Sequence, residues 1–483
     1  MRKLFSVNAL LFLVMLAMFT ACYKDKGNYT YQVPPAPVIE NMDSVYEVFV
    51  GDSLIIAPQV KMEGTTTSSL EYSWTIHVPP ITSSDTDRHY TGRDLRILFG
   101  LGPSTFTGRL AIENPANGMK YFRDFTIIGK TAFSKGMTVL SDDQGKTVLT
   151  FIKPDTTLQP YLFEAVNPGQ TLPGEPTQIL AIPVAYQPPV KSYWIFGRSG
   201  DQTGIQVDAN DFKVIKTLKD NFFDAPQGEV LAHKMFVSPM GVISGVIGDK
   251  LYNGTTSTWN EAPTYGMFGQ GAQGDYSLSP VMVFNFTGDY GPGNYIGFDK
   301  VKRRFVRFNL YGDATYFGPD YVVKGNSFDP KNLGMDLLHL QQITGGLCFG
   351  YFKAANDSIY ECSMNTNFNG PFEFEALSKR PFVRQDLMSA STLMTATTSQ
   401  ILFFNYQDKV YRYNPINESI KEVETGFGGK TVTMLKLQDQ QTLVVGTAGT
   451  LYFLDIRTGH EGTLLYKVEG IPGKVIDMAF RAQ

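Results

Sequence analysis

Along Glu71-Tyr72-Ser73-Trp74-Thr75-Ile76, apolar and polar side chains alternate strictly, which sends Tyr72, Trp74 and Ile76 to one face of an extended chain and Glu71, Ser73 and Thr75 to the other. A period of two is that of a strand with one buried face. The same reading predicts short strands at Ser44 to Val50, Ser53 to Val60, Leu70 to His77, Leu95 to Phe99, Thr107 to Ile112 and Tyr121 to Ile128. Strands so short and so closely spaced over residues 38–130 describe a small β-sandwich, with Trp74 as its core tryptophan.

From Ser134 onward, groups of strands recur, beginning near Ser134, Val190, His233, Tyr276, Lys331, Met388 and Lys430. Their mean spacing of about 49 residues is that of a propeller blade. The last two groups read most plainly: Leu393 to Thr397, Gln400 to Asn405, Lys409 to Asn414 and Ser419 to Glu424, then Val432 to Leu437, Thr442 to Thr447, Thr450 to Asp455 and Thr463 to Glu469. The first group has only Gly136 to Ser141, Lys146 to Ile152 and Gln159 to Ala165, while a further strand, Lys474 to Arg481, follows the last group. Pairing of that terminal strand with the first group would complete it and remove two open sheet edges. The expectation is an all-β chain: a sandwich, then a β-propeller over residues 134–483, of seven blades closed by the C-terminal strand. The long fourth and fifth groups leave six or eight blades open.

Composition supports this reading, because 46 Gly, 27 Pro, 25 Tyr and 35 Phe suit many strands joined by tight turns. Lys+Arg 42 against Asp+Glu 46 leaves a net charge of -4, so no basic excess is available to neutralise a phosphate backbone, and nucleic acid is not an expected partner. Three Cys and 5 His are too few for a disulfide framework or a structural zinc site; neither metal nor cofactor is expected.

Arg2 and Lys3 precede an apolar stretch, Leu10 to Phe19, that is too short to span a bilayer but suits a secretory signal. It ends in Phe19-Thr20-Ala21-Cys22, which resembles a bacterial lipobox. The resemblance implies removal of residues 1–21, acylation of Cys22, and a tether over residues 22–37 that includes the Pro-rich Val33-Pro34-Pro35-Ala36-Pro37. Several acyl chains at about 0.8 kcal/mol per buried methylene anchor a protein persistently, so the membrane is an expected partner through this lipid.

Three segments resemble the PKD-like lipoproteins, named for an immunoglobulin-like domain. They are Cys22-Tyr23-Lys24-Asp25-Lys26-Gly27-Asn28-Tyr29-Thr30-Tyr31, Tyr72-Ser73-Trp74, and Phe133-Ser134-Lys135-Gly136-Met137-Thr138-Val139-Leu140-Ser141. Met137 stands where an aromatic residue is more usual. The resemblance implies an immunoglobulin/PKD-like sandwich in an outer-membrane lipoprotein that faces the cell exterior, works beside glycan-import proteins and has a glycan as its ligand. It brings no catalytic residues.

Glycan binding needs rings that stack on sugar faces and polar groups that bond the hydroxyls. The densest stretch of that kind runs through Trp259-Asn260-Glu261, Tyr265-Gly266-Met267-Phe268, Asp275-Tyr276 and Asp289-Tyr290-Gly291-Pro292-Gly293-Asn294-Tyr295. Trp259, Tyr265, Phe268, Tyr276, Tyr290 and Tyr295 are therefore the candidate ligand-binding residues; the competing reading makes them packing between blades. Asp85 and Asp87 begin a calcium-loop spacing, but the later ligands are missing. Gly266 to Gly271 lacks the register of a phosphate-binding loop. A hairpin symmetric about position 355 would set Cys348 opposite Cys362, for a cross-strand disulfide or, as the favoured state, two buried thiols. An enzyme would draw on Asp336, His339, Asp386 and Asp477 at a central opening. The expected function is non-catalytic binding or assembly in glycan capture, with a propeller-fold hydrolase or lyase as the alternative.

Overall fold

The computed structural model describes residues 35–64, 69–78, 87–184, 190–228, 230–258, 263–285, 293–310, 314–367 and 372–481. The chain forms two compact units, Met1–Gly129 and Lys130–Gln483. The lipobox, Cys22 and the tether up to Pro34 lie outside the described residues.

In the first unit a five-stranded sheet runs in the order Val45–Phe49, Met119–Lys130, Thr105–Asn114, Glu71–His77 and Arg88–Thr91, and two-stranded sheets join Val38–Glu40 to Gln59–Lys61 and Ser53–Ile56 to Leu95–Leu98. The alternation along Glu71–His77 is realised, with Tyr72, Trp74 and Ile76 buried and Glu71 and Ser73 exposed. Trp74 has 0% exposure, and its indole N–H donates to the Gly92 carbonyl at 2.8 Å, so burial costs it no hydrogen bond. The Phe125 ring meets Trp74 edge-on at 5.7 Å and covers the backbone of its cross-strand partner Gly108, where a Cβ would lie 2.2 Å from that ring.

The second unit is all-β and propeller-like. Antiparallel sheets follow one another along the chain: Gly174–Pro183 to Val214–Thr217, Ala232–Val237 to Lys250–Asn253, Leu278–Asn285 to Thr315–Gly318, Asp336–Thr344 to Glu373–Pro381, and Met394–Ala396 to Ser419–Glu422. A further sheet joins the two ends of the unit. There Thr463–Arg481 pairs through its first half with Thr442–Asp455 and through its second half with Gly136–Asp143, at Met137↔Phe480 and Val139↔Met478. Neighbouring sheets pack face to face: Leu140 and Phe151 meet Tyr193 and Ile195, Trp194 and Phe196 meet Met235, and Phe298 and Phe305 meet Phe352. Each such side chain contributes roughly 1.5–3 kcal/mol by leaving water.

Three local expectations are corrected. Val190–Ser199 is the second strand of its sheet, not the first, because Gly174–Pro183 precedes it in the ladder. Gln159 to Ala165 is not a strand: Leu158–Gln159 ends at Pro160, Tyr161 turns to φ 55, and Leu162–Val166 is a short helix. The hairpin bearing the cysteines is centred one residue beyond 355, so Cys348 faces Met364 and Cys362 faces Gly350. Both thiols are free and buried.

Candidate ligand-binding site

The aromatic set divides. Phe268 is 0% exposed and packs against Phe222 and Tyr252, while its amide donates to the Asn221 carbonyl at 2.7 Å. Tyr276 is 7% exposed, stacks on Tyr316 at 4.5 Å, and its hydroxyl donates to the Ala272 carbonyl. Tyr295 is 2% exposed within the same apolar cluster. A ring without a free face cannot stack on a sugar, so Phe268, Tyr276 and Tyr295 belong to the core and not to a binding surface. Tyr265 is half-buried and donates its hydroxyl to the Met240 carbonyl at 2.7 Å. Trp259 and Tyr290 lie outside the described residues.

Polar chemistry gathers elsewhere. Within the second unit a cavity of about 660 Å3 is lined by Gly174–Pro183, Ala232–Val237, Leu278–Asn285, Asp336–Thr344, Met394–Ala396, Met434–Leu437 and the C-terminal strand, with Arg198 from Val190–Ser199. Arg198, His233, Lys234, His339, Lys436 and Asp477 all border it, against an apolar lining that includes Leu180, Phe236 and Met394.

Irregular pairing brings these groups inward. Between Ala232 and Met235 the strand carries an extra residue relative to its partner, and that interval holds His233 and Lys234. Extra residues also occur between Pro176 and Gln178, between Leu337 and His339, and between Val475 and Asp477. A bulge re-aims side chains and leaves part of the ladder unpaired, which is why bulges collect beside sites.

Asp477 is tied on both oxygens. Lys436 Nζ and the Met478 amide donate to Oδ1, each at 2.8 Å, and the Ile179 amide donates to Oδ2 at 3.0 Å. Lys436 also donates to the Met478 carbonyl at 2.6 Å. Lys234 opens to the cavity and has no hydrogen bond or ion pair among the described residues. Enclosure lowers the proton affinity of its ammonium, Lys436 lowers it further, and Asp477 opposes both. His339 is pushed down to about 4 by burial and by Lys234, with Gln341 opposing, and its Nε2 is buried without a partner. The Thr177 hydroxyl, also in the lining, is likewise buried and unpartnered. The lining thus combines one neutralised carboxylate and two cations without an ion pair among the described residues, Lys234 and Arg198, with two unpartnered polar atoms buried in the wall behind it.

Of the four carboxylates and imidazoles expected at a central opening, His339 and Asp477 line it. Asp336 instead pairs with Arg303 at 2.7 Å and Asp386 with Arg384 at 2.6 Å, both on exposed surface. Lys234 and Lys436 escape sequence reading because they lie on strands far apart in the chain and carry no motif. Among the described residues, no group of three or more His, Cys, Asp or Glu could hold a metal ion.

Residues 22–176 match the PKD-like family, a span that includes the sandwich and the first strands of the second unit. No curated protein matches the chain. Among solved structures, it is similar to a quinonprotein alcohol dehydrogenase-like protein from Bacteroides thetaiotaomicron at 12% identity and a TM-score of 0.38, covering 94% of this chain and 100% of that one. It is also similar to the extracellular domain of a putative one component system from B. thetaiotaomicron, at 10% identity and a TM-score of 0.37, covering 94% and 68%. A sialidase from Streptococcus pneumoniae follows at 8% and 0.25, covering 76% and 64%. These likenesses bear on neither activity nor ligand.

Proposed function

We propose, from the premise that residues 22–176 are PKD-like family sequence, that the protein is an outer-membrane lipoprotein, anchored through Cys22 and facing the cell exterior. In this reading it is a non-catalytic binding or assembly component of glycan capture and utilisation, working beside outer-membrane glycan-import proteins. The observation that carries it is the cavity, whose size lies within the range of small-ligand sites and whose lining mixes apolar surface with convergent polar groups. Its carboxylate, Asp477, is held by Lys436 and two backbone amides, which suits a strut better than an acid or base that must exchange protons with a substrate.

The ring behind this site is read as seven blades. The sheet that joins the two ends of the unit counts as two of them, with residues 474–481 as the innermost strand of the first. That arrangement accounts for the packing of Val139 and Ile152 with Met434 and Val444. Trp259, Tyr265 and Tyr290 remain candidates for a second contact surface.

A glycan array probed with the mature chain tests the binding reading, with assay of the same polysaccharides for released products beside it. Loss of the Cys22→Ala protein from the membrane fraction tests the anchor, and protease shaving of intact cells tests the exterior face. One observation favours the enzyme reading: His339 lines the cavity and is uncharged at neutral pH, the protonation state that a general base needs. Product release that His339→Gln abolishes would establish that reading.

A further inference from the structure

We propose that the central cavity binds a ligand carrying a carboxylate, with Lys234 as its counter-ion, so that the glycan class is the acidic sugars. This rests on the glycan-binding reading and narrows it.

Charge in the cavity lining is not balanced. Lys436 and Asp477 neutralise one another at 2.8 Å. Lys234 has no such partner among the described residues, although it shares the enclosure with both of them and with His339. A cation held in a restricted, partly desolvated space is unfavourable until an anion joins it, and a carboxylate would form a charge-assisted pair there. Arg198, which also borders the cavity, has no ion pair among the described residues either, so positive charge exceeds negative charge in the lining. The rest of the lining suits a hydroxylated ring. Gln178, Gln341 and Thr395 in the lining carry amide and hydroxyl groups of the kind that bond sugar hydroxyls. Phe236 offers an apolar surface in the same cavity.

The cationic arm of the site cannot be read from sequence periodicity. Lys234 reaches the cavity through the extra residue between Ala232 and Met235, and a regular strand there would pair every residue and place neighbours on opposite faces.

Calorimetric titration of the full mature chain in detergent micelles, with galacturonate, galactose and acetate as probes, tests the proposal. Galacturonate should bind at least about tenfold more tightly than galactose, and Lys234→Met should reduce that preference to within about twofold. Lys234→Arg, which keeps the charge, should retain most of it, and a thermal midpoint close to wild type in both variants excludes misfolding as the cause. Equal binding of galacturonate and galactose, or a preference that survives Lys234→Met, overturns the proposal while the glycan reading stands. Acetate binding as tightly as galacturonate, lost in Lys234→Met, keeps the carboxylate site and removes the sugar. Binding of none of the three overturns the proposal outright.

Discussion

Lys436 and Asp477 form an ion pair at 2.8 Å across the cavity wall, and the same carboxylate accepts the backbone amide of Ile179 at 3.0 Å. One side chain on the last strand thus joins Met434–Leu437 to Gly174–Pro183, elements from opposite ends of the second unit. Asp477→Ala removes these two bonds and the one from the Met478 amide, and leaves Lys436 without its counter-ion. With Lys436 partly open to solvent, the loss should be about 1–3 kcal/mol, less than for a fully buried pair. Asp477→Asn keeps an acceptor and should lose less. Chemical denaturation of the two variants checks the order.

His339 makes stability depend on pH. Its imidazole has an ordinary value of 6.5 and is held down to about 4 in the folded chain. Between these values the unfolded chain binds more protons, so this contribution is fully present above pH 6.5, falls as pH drops, and is lost below about 4. The contribution is at most about 3 kcal/mol. Denaturation midpoints at neutral and mildly acidic pH should differ less for His339→Gln than for wild type.

Cys348 and Cys362 should remain thiols. Burial pushes both up, Cys362 to about 12, so the reactive thiolate is scarce at neutral pH. A maleimide reagent should label neither in the native protein and both after denaturation, and a reducing agent should leave the thermal midpoint unchanged. Native labelling, or a midpoint sensitive to reductant, would contradict the buried, unbridged state.

Arg481 ties the chain terminus into the unit. Its guanidinium donates to the Phe133 carbonyl at 2.8 Å, to the Ala209 carbonyl, and to Asn210 Oδ1 at 2.5 Å. Arg481→Met strands these acceptors and should cost about 3 kcal/mol. Deleting residues 474–483 should be more severe and should remove hydrogen-exchange protection from Gly136–Asp143 as well as from Thr442–Asp455, because both lose a sheet neighbour.

What could be read in advance follows the regularity of the backbone. Tyr72, Trp74 and Ile76 lie on a strand with one buried face, so period two was sufficient to place them. The pairing of the terminal strand with Gly136–Asp143 was legible because each was visibly a strand without a sheet to complete. Gly174–Pro183 was hidden by Pro176 and Pro183, which interrupt its pattern and coincide with shifts in its register. The glycines around Phe268, Tyr276 and Tyr295 imitate an open loop, yet Gly271 and Gly274 lie under the rings of Tyr252 and Tyr316 and serve close packing. Lys234 could not be placed by period at all, since it sits where an extra residue breaks it, whereas His339 was expected at a central opening and lines the cavity.

The proposed function is binding without chemistry. Its most direct test incubates the lipid-anchored mature chain with a panel of neutral and acidic polysaccharides and follows, in the same samples, retained polysaccharide and newly formed chain ends. The account predicts saturable retention of at least one polysaccharide with no new reducing or unsaturated ends over hours. New ends that accumulate with time and protein concentration, or no retention of any polysaccharide, would contradict it.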